Sequence, residues 1–334
     1  MVRPHPVILP YGTAAIAEAA TLIRGGGIVA VPTETVYGLA ADATNAEAVA
    51  RIYAAKGRPS FNPLIVHVAD LAAAERIAVF DAEARALAAA FWPGPLTLVL
   101  RVREDSGIAS LVTAGLATIA IRVPRHRAMQ GLIAASGRPL AAPSANPSGG
   151  ISPTTAAHVA GSLEGNVPLI IDDGATEAGL ESTIVAGRTV LRPGPITAEA
   201  LFARLPGEGR GPIGTSDVTE HELHHDRSPI GPRPSPGGNI VVAPGQLESH
   251  YSPSKLLRLN AAEATVGEWL IGFGDVAGDV TLSASGNLVE AAAKLFDLLH
   301  AADANESPKI AVAPIPFDGI GEAINDRLRR AAHR

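Results

Sequence analysis

Apolar positions recur along this chain at two spacings, one helical and one strand-like, and the two alternate through most of its length. Residues 13–24 place Ile16, Ala20 and Ile23 on one helical face, with Thr13 set to cap the start and Gly25-Gly26-Gly27 to end it. Residues 28–31 then read as a short buried strand that delivers Thr33 and Thr35 at its carboxyl end. Asn45 is set to cap a second helix through Val49 and Ile52, which stops at Lys56-Gly57 ahead of Pro59. Further strands are predicted over residues 64–68, 96–102 and 118–123, and near Leu140, Leu169, Thr183 and Val190. Further helices are predicted over residues 81–91, 126–135 and 197–205.

The alternation over residues 118–123 is clean: Thr118, Ala120 and Arg122 point one way, and Ile119, Ile121 and Val123 the other. Several strands follow one another without a helix between them, so the sheet is expected to be mixed rather than all parallel. From residue 206 the periodicity vanishes and Gly, Pro, Ser and His accumulate, which predicts a linker or extended loop. The last eighty or so residues return to strand, helix, strand and helix, the pattern of a small Rossmann-like α/β unit. The expected organisation is a large α/β domain over residues 1–205, a linker over 206–253 and a small C-terminal α/β domain over 254–334.

The length of 334 residues agrees with two domains, and 47% apolar against 18% charged residues supplies a globular core. A net charge of −6 argues against bulk electrostatic binding of nucleic acid, though it leaves room for a local basic groove. The absence of cysteine excludes disulfides, thiolate metal sites and cysteine nucleophiles, and fits a reducing compartment. The first eleven residues contain no apolar h-region, and no apolar run approaches the roughly 20 residues that span a bilayer. A soluble, cytoplasmic protein without membrane contact is therefore expected.

Two motifs carry less than they promise. His221-Glu222-Leu223-His224-His225 matches a zinc-protease pattern, but that pattern needs a helix, and this one sits in the linker beside Pro229, Pro232 and Pro234. It reads as a solvated histidine-rich loop. Gly272-Phe273-Gly274-Asp275 lacks the spaced third glycine of a dinucleotide fingerprint and reads as a turn.

Other positions hold candidate chemistry. Lys56-Gly57 is ordinary helix termination, yet Arg58 and Asn62 follow it, and a guanidinium is a good phosphate ligand. Ser144 and Asn146 come directly after an apolar strand, where α/β sheets place ligands, and Ser152 follows shortly. Glu181-Ser182-Thr183 and Arg192-Pro193-Gly194 are weak signals on their own. His67 in an apolar strand reads as a satisfied core histidine. Arg122, on a buried strand, needs an anion, which either a protein carboxylate or a substrate carboxylate would supply.

Taken in order, these segments resemble the YrdC family in its long two-domain form. The resemblance is carried by residues 32–39 (Pro-Thr-Glu-Thr-Val-Tyr-Gly-Leu), Lys56-Gly57-Arg58-Pro59, Asn62-Pro63-Leu64, His67, Trp92-Pro93-Gly94-Pro95-Leu96-Thr97, Ile121-Arg122-Val123-Pro124, residues 143–149, Glu181-Ser182-Thr183 and Arg192-Pro193-Gly194. Pro244-Gly245 and His250-Tyr251-Ser252-Pro253 resemble the family's linker motif, and the tail its small C-terminal domain.

The resemblance implies a large domain with a twisted mixed sheet and flanking helices. It also implies a nucleotidyl transfer in which L-threonine, bicarbonate or CO2, and ATP give threonylcarbamoyl-AMP and pyrophosphate. Separate proteins then transfer the threonylcarbamoyl group to tRNA, and a weak tRNA contact of this chain is also expected. By the resemblance, Thr35, His67, Arg122, the backbone at Ala142, and Ser182 hold threonine, with Arg122 on its carboxylate. Lys56, Arg58, Asn62, Thr118, Ser144, Asn146, Ser152, Arg192 and Tyr251 face ATP. Lys56, Arg58 and His67 are candidates for a catalytic contribution, with no role assigned beyond positioning. Mg2+ is expected to arrive with the triphosphate, and no protein metal ligand is assigned. The linker bearing Tyr251 is expected to fold over the site as a lid. The competing expectation is an RNA- or tRNA-binding module without ATP chemistry, against which the acidic charge and missing aromatic platform both count.

Overall fold

The computed structural model describes residues 5–205 and 250–333. Residues 206–249 of the expected linker, with the His221 to His225 motif and Pro244-Gly245, lie outside the described residues.

Ten strands form one mixed sheet: β1 (Val7–Pro10), β2 (Val29–Pro32), β3 (Tyr37–Asp42), β4 (Ile65–His67), β5 (Leu96–Arg101), β6 (Thr118–Arg122), β7 (Leu140–Ala141), β8 (Leu169–Asp172), β9 (Thr183–Ala186) and β10 (Thr189–Arg192). Their order is β1-β8-β2-β3-β7-β4-β6-β5-β9-β10. Parallel pairs (β1 with β8, β8 with β2, β4 with β6, β5 with β9) occur beside antiparallel ones (β2 with β3, β3 with β7, β7 with β4, β5 with β6, β9 with β10). The mixed sheet read from the sequence is the one observed.

The helices of this unit are α1 (Thr13–Arg24), α2 (Ala46–Lys56), α3 (Leu71–Glu75), α4 (Ala82–Phe91), α5 (Ser110–Thr113), α6 (Arg127–Ser136), α7 (Ala156–Leu163) and α8 (Ala198–Phe202). Ile16 and Ile23 of α1 join Met129 and Leu132 of α6 over Val29, Val31 and Leu169 on one face of the sheet. The opposite face buries Leu39, Ile52, Val66, Leu87, Leu98, Ile119 and Ile121. The clean alternation of β6 is thereby realised: Ile119 and Ile121 enter the larger core, while Ala120 joins Ile65, Val99 and Ile184 on the other side.

Local signals act largely as expected. The Asn45 side chain accepts from the backbone of Glu47 and Ala48, and Gly57 ends α2 in the left-handed conformation at φ 59. Thr13 is a correction: it is already helical, Gly12 holds the N-cap position, and no side chain caps α1.

A second unit holds β11 (Leu256–Arg258), β12 (Glu268–Gly272), β13 (Val280–Thr281) and β14 (Lys309–Val312), with α9 (Leu288–Ala304) and α10 (Gly321–Ala332). Its strands run parallel in the order β11-β14-β12-β13. The two units share a core, since Val36, Ile151 and Leu180 of the first pack with Leu295, Phe296 and Leu299 of α9. Gly179 allows that contact. A Cβ there would lie 2.4 Å from the Ala293 carbonyl oxygen, and its φ of +67 also favours glycine. Among the described residues no helix is long and apolar enough to cross a membrane.

Candidate active site

The turn between β2 and β3 is built by its own threonine. Thr33 Oγ1 accepts from the backbone of Thr35 and Val36 at 3.1 and 3.2 Å, and donates to the Val36 carbonyl. This local bonding aims Glu34 and Thr35 toward neighbouring strand ends. There, His67 and Arg122 are register partners at the carboxyl ends of parallel β4 and β6. Ala142 to Ser144 follow β7, which runs antiparallel to β4, so the Ala142 amide meets the Ile65 carbonyl and the segment lines the same cavity, while Ser182 and Arg192 flank the β9–β10 hairpin.

These elements enclose a cavity lined by Thr33, Thr35, Val36, Gly38, Arg58, Ile65, His67, Arg122, Ala142, Pro143, Ser144, Glu181, Ser182, Arg192, His250 and Tyr251. About 40 Å³ of it is open to water, room for no more than a few molecules. Nine of the expected residues therefore converge: Thr35, Arg58, His67, Arg122, Ala142, Ser144, Ser182, Arg192 and Tyr251.

The remaining expected residues lie behind the wall or apart from it. Lys56 is buried and donates from Nζ to the carbonyls of Ser144 and Asn146, tying the end of α2 to the 144–146 loop. Asn62 Oδ1 accepts from Arg58 Nη2 at 2.6 Å, while the Asn62 amide nitrogen has no partner. Asn146 Nδ2 braces the next turn through the carbonyls of Pro147 and Gly150. Ser152 Oγ donates to the Glu181 carboxylate. Thr118, half-buried at the start of β6, does not line the cavity.

Three guanidiniums dominate the walls. Arg58 is fixed by Asn62 and the Pro63 carbonyl, and burial pushes it down to about 10. Arg192 donates to both the carbonyl and hydroxyl oxygens of Ser182, whose Oγ also meets Thr97 Oγ1 at 2.8 Å. Arg122 pairs with Glu34 at 2.8 Å and donates to Thr35 Oγ1 and the Gly94 carbonyl. A protein carboxylate pairs with Arg122, which also lines the cavity.

His67 is not a satisfied core histidine. It lines the cavity and its Nδ1 has no partner among the described residues. Burial, with Arg122 beside it, pushes the imidazole down to about 3, so it is neutral near pH 7.

Four participants escaped sequence reasoning. Glu34 and Glu181 sit inside quoted motifs, but only the fold shows which cations they meet. His250 stacks edge-on to Tyr251 with ring centroids 4.1 Å apart. Arg327 reaches in from α10 to meet Glu181 at 2.8 Å, and no sequence signal marks it. Tyr251 itself is fully buried with a left-handed φ of 65, and its Oη has no partner.

Buried arginines that exceed the unpaired carboxylates, ringed by hydroxyls and backbone at strand ends, define a protein that receives a polyanion beside a small polar ligand. Comparison with known proteins gives the same class. The sequence profile of the Sua5/YciO/YrdC family, described as Telomere recombination, matches residues 21–194. A profile described as Threonylcarbamoyl-AMP synthase, C-terminal domain, matches residues 213–333. The chain therefore belongs to the Sua5/YciO/YrdC family, in its two-domain form.

It is 39% identical to a threonylcarbamoyl-AMP synthase of Bacillus subtilis, with 95% of this chain and 92% of the relative covered. It is 37% identical to one of Pyrococcus abyssi, covering 95% and 94%. A crystal structure of P. abyssi Sua5 complexed with L-threonine superposes with a TM-score of 0.81 at 34% identity, covering 98% of this chain and 97% of that one.

Proposed function

We infer that this chain is an L-threonylcarbamoyladenylate synthase, which joins L-threonine, bicarbonate or CO2, and ATP into threonylcarbamoyl-AMP and releases pyrophosphate. The observation that carries this reading is the ring of Arg58, Arg122 and Arg192 around one cavity whose lining carboxylate, Glu181, is already paired with Arg327, while Glu34, outside the lining, pairs with Arg122.

The reaction asks for positioning and charge neutralisation more than for a nucleophilic side chain. The neutral threonine amine attacks CO2 and gives up one N–H proton to solvent, leaving a carbamate. A carbamate oxygen then attacks the α-phosphorus, and the bond from that phosphorus to the oxygen bridging toward the β-phosphate breaks. Both partners are anions, so cations must bring them together.

In this reading the threonine carboxylate meets the edge of Arg122 that faces the cavity. Thr35, Ser182 and the backbone at Ala142 orient the rest of the amino acid. His67, neutral and lining the cavity, offers a ring nitrogen that positions the threonine amine. Arg58 and Arg192 face the phosphates. Asn62, Ser144 and Tyr251 offer further polar atoms to ATP, while Lys56, Asn146 and Ser152 support that half from behind. Thr118 joins the nucleotide only at its periphery. The L-threonine bound to the P. abyssi relative supports the amino-acid half.

Glu34 and Glu181 are both committed to guanidiniums, and no group of three His, Asp or Glu among the described residues is arranged to hold a metal. These residues do not fit a resident Mg2+ site, so Mg2+ belongs to the incoming nucleotide and no step here runs through a protein-bound metal. The chain is read as domains 1–205 and 254–334 joined by a linker over 206–253; the expected lid falls largely on residues outside the described ones, and the described end of the linker brings His250 and Tyr251 to the cavity. The product goes to separate tRNA-modifying proteins in the cytoplasm, with a weak tRNA contact by this chain.

Isotope labelling tests the reading. With [13C]bicarbonate, ATP and threonine, the protein forms a species carrying both AMP and the labelled carbon, and omitting threonine abolishes it. A labelled or adenylated product that forms equally well without threonine rules the reading out.

A further inference from the structure

Arg327 is the largest fully buried side chain among the described residues, and it belongs to the C-terminal unit rather than to the large domain. Its Nε lies 2.8 Å from Glu181 Oε2, and its Nη1 lies 2.8 Å from Asp326 Oδ2. Asp326 also receives Arg330 Nε at 3.0 Å, so helix α10 carries its own balanced network up to the site. Glu181 lines the cavity next to Ser182, and its other oxygen accepts from Ser152 Oγ.

A carboxylate in the wall of a pocket meant for a triphosphate is an electrostatic liability. Burial alone would push Glu181 toward its neutral form, but Arg327 and then Arg192 hold it below its ordinary range, so it stays ionised. The cation that balances it must come from outside the phosphate-facing set, or else Arg192 would be drawn into that role. Arg327 does not line the cavity. The Tyr251 ring lies 5.2 Å from its guanidinium, so it acts through Glu181 rather than on substrate.

We propose that Arg327 is a positioning residue of the active site: by pairing with Glu181 it keeps that negative charge from opposing the ATP phosphates and leaves Arg192 free to hold them. The C-terminal unit thereby completes the charge balance of a site built in the other domain. This rests on the ATP placement inferred above.

The test is steady-state pyrophosphate release by the full chain, varying ATP at saturating threonine and threonine at saturating ATP. Arg327→Met is expected to raise the ATP KM by about tenfold or more while the threonine KM stays within about twofold. Adding Glu181→Gln to Arg327→Met removes the unbalanced carboxylate and is expected to bring the ATP KM back to within about threefold of wild type. Arg327→Lys keeps the charge but loses the fork that reaches Glu181 and Asp326 together, so its ATP KM is expected between those of wild type and Arg327→Met, and one as high as that of Arg327→Met overturns the proposal.

An unchanged ATP KM in Arg327→Met, an equal rise for both substrates, or a double variant no better than the single one overturns the proposal. Those last two results are what mere domain glue would give. If Arg327→Met does not fold, Glu181→Gln alone decides: the proposal requires an ATP KM that is unchanged or lower, and a rise of about tenfold overturns it. A wild-type chain without threonine-dependent release sinks the functional reading itself, an outcome distinct from an active wild type with an indifferent Arg327→Met.

Discussion

Glu34 and Arg122 face each other at 2.8 Å with each side chain only 3% exposed, so the strand-borne arginine of the cavity is neutralised by the protein itself. Burial raises Glu34, but Arg122 more than offsets this and holds the carboxyl below its ordinary range. The backbone N–H of Arg125 adds a hydrogen bond at 3.1 Å to the same oxygen. The Arg122 guanidinium is thereby fixed in place, with an edge toward the cavity, and a substrate carboxylate meets a preorganised partner.

Breaking this pair is expected to be costly. Arg122→Met leaves a buried carboxylate without its cation, which should destabilise the fold by about 3–5 kcal/mol. Urea unfolding measures it. A loss below about 1 kcal/mol would mean that Glu34 is solvated or repaired by another group.

Arg58 separates the two halves of the site. Its guanidinium is held by Asn62 and Pro63, partners that the Thr35–Arg122 contact does not share. Arg58→Ala is expected to weaken ATP binding by about tenfold or more, roughly 1.4 kcal/mol, and to leave threonine binding nearly unchanged. Calorimetric titration of each ligand checks this. Equal losses for both would place Arg58 in the general architecture rather than on the nucleotide.

Tyr251 allows stability and activity to be read apart. Its ring packs 5.5 Å from Phe296 and its Oη is buried without a partner. Tyr251→Phe removes a hydroxyl that makes no bond among the described residues, so thermal stability should hold or rise slightly. If that hydroxyl serves ATP, kcat/KM should fall in the same variant. A clear drop in stability with full activity would invert the assignment.

Acid should weaken the fold in a defined window. Burial, then Arg122, pushes His67 down to about 3, and burial, then His158, pushes His300 down to about 4. Unfolded histidines titrate near 6.5, so between those values the unfolded chain takes up protons that the folded chain refuses. Stability is therefore full above about pH 6.5 and falls as pH drops toward 4, by about 1.4 kcal/mol per pH unit for each such histidine. Urea midpoints at pH 7 and pH 5 test this, with His67→Gln expected to flatten the slope. A midpoint that does not move between the two values contradicts it.

How much of this was legible in the sequence depends on the range of each interaction. Asn45 as a cap and Gly57 as a terminator act within four residues, and both are where the pattern puts them. Strand β3 was hidden because Tyr37–Asp42 is buried on both faces and runs through glycine and alanine, so it shows neither alternation nor β-branched residues. Strand β1 was hidden by the prolines around it, which an edge strand tolerates. The polar residues that line the cavity were named through the family resemblance of short motifs, since several of them, His67 and Arg192 among them, carry little signal alone. Their charge partners were not: Glu181 and Arg327 lie 146 residues apart, and no local spacing records that they meet.

Release of pyrophosphate from ATP is the most direct measurement of all. The full chain, given ATP, L-threonine and bicarbonate together, should release pyrophosphate, and withholding either threonine or bicarbonate should return release to the background rate. Release that is absent with all three substrates, or that proceeds at the same rate without threonine, would show that the cavity of Arg58, Arg122 and Arg192 serves a different chemistry.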